Sequence, residues 1–202
     1  MALRLNGSSS GYVELDVPAA AGSHTLTLPD GGGSSGQYLQ TNGSGGLSWA
    51  GVTTGKILQV VQTYKTDVDS TASVTEADIS GFSRTITPIA AGSRFLIISN
   101  LGLSNTATAG TAILNLYRGA TLIGPSPATQ DASLSVYTGG TNAAFSYGHN
   151  FIDTPTYTLG DTLTYKWRWY VDNAVLTCYM NRHSANASYS MTSGITVMEV
   201  AA

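Results

Sequence analysis

Apolar residues in this chain recur at every second position of short runs, and clusters of Gly, Ser, Thr and Asn separate one run from the next. A period of two places alternate side chains on opposite faces of a strand, whereas a helix has a period of about 3.6 residues. The runs Tyr12–Val17 and His24–Leu28 each stop at a proline, which cannot donate a hydrogen bond to a sheet. Only Ser73–Ser80 comes near a helical pattern, and it is short and rich in β-branched residues. The pattern predicts an all-β chain.

Charged residues make up only 10% of the 202 residues, well below the ~25% of an average soluble domain. The surface must therefore consist largely of small polar residues, or much of it must lie in contacts between subunits. The net charge is −3 and no basic run occurs, which argues against a nucleic-acid partner. No apolar run approaches the ~20 residues of a membrane span, so no membrane partner is expected. The first residues lack the apolar core of a signal peptide, which predicts folding in the cytoplasm of the cell that makes the protein.

The composition changes near Gly51–Gly55, and this change predicts two units, residues 1–55 and residues 56–202. The first unit has too few apolar side chains to form a core by itself. We expect it to be an intertwined β-stem in which three copies of the chain share one core; the alternative, an unstructured leader, agrees poorly with the regular alternation. The predicted stem core consists of Val13, Leu15, Leu26, Leu28, Leu39, Leu47 and Trp49.

The second unit has longer alternating runs, which predict an antiparallel β-sandwich of the jelly-roll type. Its strongest run is Leu163–Val171, followed by Asp172-Asn173, which is typical of a hairpin turn that pairs Leu176–Met180 back onto that run. Thr156–Leu159 is expected to be a further strand. Alternation in the strongest run places one set of side chains in the core, Tyr165, Trp167 and Trp169, and the other set outside, Lys166, Arg168 and Tyr170. The alternative for these aromatic and basic residues is a surface that stacks on sugars.

The segments Val13–Pro29 and Gly36–Trp49 together resemble a recurrent module of phage tail fibres and related virion proteins. In that module a Leu-Thr-Leu-Pro strand leads to a Gly-Gln-X-Leu-X-Thr-Asp/Asn-Gly turn and a final tryptophan. The second unit begins with Lys56–Val61, contains Gly92–Ile97 and ends in a strand close to the C-terminus, and it resembles the trimeric jelly rolls of the C1q and tumour-necrosis-factor type, which also cap phage fibres. These resemblances imply a homotrimeric virion protein and bring no catalytic residues.

The predicted function is that of a bacteriophage virion structural protein, located in a tail fibre or on the capsid surface. In the favoured form it is a trimeric fibre or fibre tip that contacts other phage virion proteins and binds a host-surface glycan or protein. The alternative is a capsid decoration protein, such as a head fibre or cement protein. A secreted, non-viral C1q-like protein is disfavoured by the missing signal peptide. Loops on a rigid β-scaffold carry recognition, and the longest polar loops are Ser104–Gly110, Gln130–Asn142 and Asn181–Ser193. The last is the most varied chemically and is the candidate receptor-contact loop, with Asn181, Arg182, His183 and Asn186 as its contact residues.

Residues that could support catalysis or metal binding are scattered along the chain. His24, His149 and His183 never fall within metal-ligand spacing, so we expect surface or hydrogen-bonded structural histidines. A histidine near a trimer axis remains the one route to a bound metal or anion. Cys178 lies in an apolar run and is expected to be a buried, inert thiol. Glycan cleavage needs two carboxyl groups ~5–9.5 Å apart, which this sequence does not indicate. No enzymatic activity and no cofactor are predicted.

Overall fold

The structure is a computed structural model that describes residues 3–15, 19–20, 22–51, 56–106, 110–124, 132–137 and 144–202. In these ranges the regular elements are all strands, which confirms the all-β prediction for the described part of the chain. Among the described residues there is no apolar helix of membrane-spanning length. By its internal contacts the chain divides into two units, Met1–Thr53 and Thr54–Ala202.

The first unit contains two antiparallel hairpins. They consist of β1 (Leu3–Asn6) with β2 (Tyr12–Leu15), and of β3 (Tyr38–Thr41) with β4 (Leu47–Ala50). The expected strand at His24–Leu28 does not form: only an isolated bridge joins Thr27 to Gly46. Thr27 lies beside the β3–β4 turn, where its N–H donates to the Gly45 carbonyl and its carbonyl accepts the Leu47 N–H. No further bridge extends this pairing along the described run.

The second unit contains the longer strands. In chain order they are β5 (Ile57–Lys65), β6 (Asp69–Thr71), β7 (Ala77–Ile86), β8 (Arg94–Asn105), β9 (Ala112–Arg118), β10 (Thr121–Leu122), β11 (Leu134–Val136), β12 (Ala144–Asp153), β13 (Leu163–Val171), β14 (Cys178–Met180) and β15 (Ser193–Val200).

These strands form two antiparallel sheets that pack face to face as a sandwich. Sheet A has the order β10-β9-β13-β7, and β11 also pairs with β9. Sheet B has the order β5-β15-β8-β14-β6, and β12 pairs with β8. In β13 and β15 every second side chain is buried between the sheets, as expected when one face of a strand meets the core and the other does not.

Two local predictions in this unit are wrong. The residues after Asp172 do not fold back onto β13, because β14 pairs with β6 and β8 in sheet B. Asp172 Oδ1 instead accepts the Thr111 N–H (2.8 Å), and the chain crosses from one sheet to the other. Thr156–Leu159 is not a strand either. It is held by a side chain, because the Tyr157 hydroxyl donates to the Ala90 carbonyl and accepts the Ser93 N–H.

The core lies between the sheets and confirms the expected orientation of β13. Tyr165 and Trp167 are fully buried and Trp169 is 3% exposed, while Lys166 and Arg168 lie on the outer face of sheet A. The Trp167 indole N–H donates to Ser99 Oγ (2.9 Å), so its polar atom has a partner in the interior. Cys178 is fully buried as expected, and burial raises the pKa of its thiol to about 12.

Candidate functional site

The described strands of the first unit have apolar side chains, but these side chains do not enclose a buried core. The β1–β2 register pairs Leu3 with Leu15 directly, so these side chains share one face of the hairpin. The other face has the Arg4–Glu14 ion pair (3.0 Å), with the Arg4 guanidinium 3.9 Å from the centre of the Tyr12 ring. Among the described residues of 3–51 no residue is buried.

The predicted stem-core positions are mostly exposed in the single chain. Leu15, Leu26 and Leu28 are 62%, 64% and 69% exposed, and Leu39 is 44% exposed. Leu47 is half-buried. The backbone of Val13 pairs with Leu5, and its side chain lies outside the described part of the structure. Trp49 is also half-buried, because its indole N–H donates to the Gly31 carbonyl (2.5 Å) and the chain at Gly33 passes over its ring. That copies of the chain share these side chains stays a prediction.

The outer face of sheet B, here called face B, is a second apolar surface. Its central residues form three rows across β5, β15, β8 and β12, because the strand registers align them, and the exposed Arg94 lies beyond the first row, opposite Val200. The first row is entirely apolar and the others are uncharged: Val60, Met198, Leu96 and Ile152; Gln62, Thr196, Ile98 and Asn150; Tyr64, Gly194, Asn100 and Gly148. A shallow depression of about 390 Å³ lies over Gly194, between Tyr64 and Ile98.

The outer face of sheet A is charged instead. Lys166 pairs with Asp78 (2.8 Å), and Arg168 bridges Asp78 (3.1 Å) and Glu76 (3.2 Å). Glu76 also accepts hydrogen bonds from Asn115 Nδ2 and the Tyr117 hydroxyl, both at 2.8 Å. Burial, and then the neighbouring Glu76, raise the pKa of Tyr117. The two outer faces of the sandwich therefore differ in character.

The predicted receptor-contact loop follows β14, and one of its four predicted contact residues lies in the interior. Asn181 is fully buried: its Nδ2 donates to the carbonyls of Lys65 (2.7 Å) and Asp67 (3.1 Å), and its Oδ1 accepts the Ser193 hydroxyl (2.6 Å). It adopts the left-handed conformation, with φ of 62°. As a surface contact, Asn181 is therefore a wrong assignment. It anchors the loop, since both ends of its amide are bonded inside the fold.

The other three predicted loop residues lie at the surface. The Arg182 guanidinium is 4.3 Å from the centre of the Tyr179 ring, and its Nε and Nη2 donate to the loop carbonyls of His183 and Ser184. His183 Nδ1 accepts the N–H groups of Ala185 and Asn186, both at 3.1 Å, which leaves Nε2 to carry the hydrogen and donate outward. Asn186 is exposed.

Two tyrosines belong to the same loop surface and were not predicted. Tyr189 is 65% exposed and its ring meets the His183 ring edge-on, with centroids 6.0 Å apart. Tyr179 lies under Arg182. In the sequence, the alternation of Cys178–Met180 could have indicated Tyr179, and an aromatic residue among polar ones near the end of the loop could have indicated Tyr189. Whether this loop contacts a receptor stays a prediction.

The other titratable groups of the second unit hold loops and strands together. His149 is half-buried and meets the Trp167 ring edge-on at 5.0 Å, and burial lowers the pKa of its imidazole. Asp153 accepts bonds from Arg118 Nη1 (2.7 Å) and the Tyr165 hydroxyl (2.9 Å), which joins sheet B to sheet A. Within the described ranges no group of His, Cys, Asp and Glu could hold a metal ion.

One carboxylate organises the β7–β8 loop. Glu199 on β15 is fully buried and accepts the N–H groups of Ile89 and Ala90, both at 3.1 Å. Ser93 Oγ (2.7 Å) and Gln59 Nε2 (2.6 Å) donate to the same carboxylate. Burial alone would raise the pKa of Glu199, but the bonds from Gln59, Ser93 and the two backbone groups outweigh burial and hold that pKa below its usual range.

Comparison with known proteins does not assign a family. No protein-family model matches the chain, and no curated protein matches it. Among solved structures, one match is a chain from the structure of infectious bursal disease virus, Gx strain, which is 13% identical, with a TM-score of 0.39. The match covers 97% of this chain and 48% of that chain, so this chain spans about half its length. At that TM-score the similarity does not establish a common fold.

Proposed function

We propose that this chain is a structural protein of a bacteriophage particle, a homotrimeric fibre or fibre tip that binds a receptor on the host surface. The observation that carries the proposal is the first unit, whose hairpins are regular and yet leave apolar side chains such as Leu15 and Leu28 exposed. An isolated two-stranded hairpin is at best marginally stable in water. Burying a leucine side chain contributes about 1.5–3 kcal/mol, so a partner surface would stabilise these strands. Three copies around one axis supply that surface.

The second unit would form the knob of each fibre. Its strand order supports a jelly roll, because consecutive long strands alternate between the two sheets: β5 in sheet B, β7 in A, β8 in B, β9 in A, β12 in B, β13 in A and β15 in B. A rigid β-scaffold of this kind presents loops whose side chains are free to vary in sequence without disturbing the core. The knob would therefore supply the recognition surface and the stem the attachment.

The receptor contact would come from the loop after β14. Its surface combines the exposed Tyr189 ring with the donors of His183, Asn186 and Arg182, which suits a ligand rich in hydroxyl and carbonyl oxygens. Buried Asn181 fixes the loop before binding, so little order has to be gained on contact. Each loop alone would bind weakly, and a trimer would multiply that affinity when its copies engage one surface.

The homotrimer is tested by light scattering of the full chain at micromolar concentration. The expected mass is three times the 21.0 kDa of one chain. A mass near 21.0 kDa would contradict the shared stem core and with it the proposal of a trimeric fibre.

The position on the particle is tested with a gold-labelled antibody, or by cryo-electron microscopy, on intact particles of the virus that encodes the chain. Label at the tail or its fibres would support receptor binding. Label spread over the capsid would replace the fibre role by that of a decoration protein, and no label on particles would reject a virion role.

A further inference from the structure

We infer that face B is a contact surface between copies of this chain. The inference rests on the proposed homotrimer and names the surface of the second unit that the copies share. In the single chain the face exposes large apolar side chains at its centre and at both sides: Val60 is 53% exposed, Ile98 42%, Ile152 60% and Tyr64 66%. Contiguous apolar surface of this kind marks interaction sites in soluble proteins.

Charge is absent from the three central rows of face B, and the exposed Arg94 lies beyond the first row, opposite Val200. The three rows contain no Asp, Glu, Lys, Arg or His, whereas the outer face of sheet A has Asp78, Lys166 and Arg168 in ion pairs. Charged residues are depleted from the cores of protein interfaces because their desolvation is costly. The difference between the two outer faces indicates that sheet A faces water and face B faces protein.

Two hydrogen bonds join polar side chains within face B. Gln62 Nε2 donates to Thr196 Oγ1 (2.8 Å), and Ser146 Oγ donates to Asn100 Oδ1 (2.8 Å) at the β12 side. A partner can cover these four bonded atoms without leaving them unsatisfied, which would otherwise cost about 1–3 kcal/mol for each buried group.

The occupant that fits face B is the same chain. The uncharged, largely apolar rows at the centre of face B select a partner surface that is also uncharged, and the same rows of a second copy meet that requirement. A threefold axis in front of face B would bring the equivalent side chains of all copies together. The depression over Gly194 offers a place for a side chain from the neighbouring copy, since glycine leaves the sheet open there beside Tyr64.

The test is the accessibility of a thiol placed on each outer face of the full chain. The natural cysteine, Cys178, is fully buried and stays silent in maleimide labelling. The Ile98→Cys variant places a thiol in the middle of face B, and the Ser83→Cys variant places one on the exposed outer face of sheet A, opposite Lys166, as the matched control. We expect the Ile98→Cys thiol to react on the order of 100-fold more slowly, because labelling needs the interface to open.

The outcomes separate this inference from the proposed function. A trimeric mass with equal labelling rates at both positions would overturn the role of face B and leave the trimeric fibre standing. A monomeric mass would overturn both, and slow labelling in a monomer would mean that the chain covers its own face. A second pair of variants checks the result by mass: Ile98→Lys should reduce the trimer fraction, and Ser83→Lys should not.

Discussion

At the scale of single residues, the β7–β8 loop depends on the Glu199 carboxylate. Its oxygens accept hydrogen bonds from two backbone N–H groups of the loop and from the side chains of Ser93 and Gln59. Hydrogen bonds to a charged group contribute about 1.5–3 kcal/mol each, more than neutral ones. Glutamine has the same shape but presents an NH₂ group to those donors. We expect Glu199→Gln to lower the free energy of unfolding at pH 7 by about 3 kcal/mol, measured by urea denaturation.

The same group gives a pH dependence with a defined sign. Its pKa is lower in the folded protein than the 4.5 of a free glutamate, so its stabilisation is fully present above pH 4.5 and is lost as pH falls through the folded pKa. The parent chain should therefore lose stability below pH 4.5 more steeply than Glu199→Gln, and the two should converge in acid. Parallel pH profiles would show that another carboxyl group controls acid unfolding.

Asn181 combines a buried amide with a left-handed backbone, and two substitutions separate these contributions. Asn181→Gly keeps the backbone conformation but removes the bonds to Lys65, Asp67 and Ser193. Asn181→Ala removes the same bonds and adds about 1 kcal/mol of backbone strain. We expect losses of unfolding free energy of about 2 kcal/mol for the glycine variant and about 3 kcal/mol for the alanine variant. Equal values would show that φ of 62° is not strained at this position.

At the scale of the elements, the sequence predicted the long strands and the burial of β13 because alternation is a local property. Pairing is not local, so Cys178–Met180 was assigned to the wrong neighbour: the short run reads the same whether it lies beside β13 or beside β8. The loop residue Asn181 was misplaced for a related reason. An asparagine among polar residues gives no sign that its partners, Lys65 and Asp67, come from a distant strand end.

The irregular part of β7 offers a prediction at this scale. Pairing with β13 passes from Ser83–Lys166 to Asp78–Arg168, so residues 79–82 lie opposite Trp167 alone. The bulge lets Ile79 and Phe82 both enter the core, and Gly81 makes it possible with φ of 67°. No atom lies within 4 Å of a Cβ placed there, so substitution tests the backbone alone. Gly81→Ala should cost about 1 kcal/mol in urea denaturation, and Gly81→Asn less, because asparagine tolerates this conformation.

The control for Gly81 is which of the two variants loses more unfolding free energy, and the size of either loss matters less. If alanine and asparagine destabilise equally, the cost comes from space or hydration at the bulge. If neither has an effect, β7 must shift its register to remove the positive φ, and the packing of Phe82 in the core would change with it.

At the scale of the whole molecule, both surfaces assigned to contact between copies are apolar. The exposed leucines of the first unit and the rows of face B contain no charged partner for a neighbouring chain. The ion pairs of the described residues lie on the outer face of sheet A, at the β1–β2 hairpin, between Arg118 and Asp153, and around Lys65. Association would therefore depend on burial of apolar surface and hardly at all on attraction between charges.

This assignment predicts how the assembly responds to salt. At 1 M ionic strength the screening length falls to about 3 Å, so contacts that depend on exposed charges weaken while apolar burial does not. We expect the trimeric mass in light scattering to persist from about 0.1 M to about 1 M NaCl at pH 7, with sodium sulfate raising the urea concentration needed for dissociation, since sulfate strengthens apolar burial. Ile98→Lys should invert this dependence, because repulsion between introduced lysines would be relieved by salt. Dissociation of the parent trimer at high NaCl would mean that charged groups hold the copies together, and both apolar surfaces would then lose their assigned role.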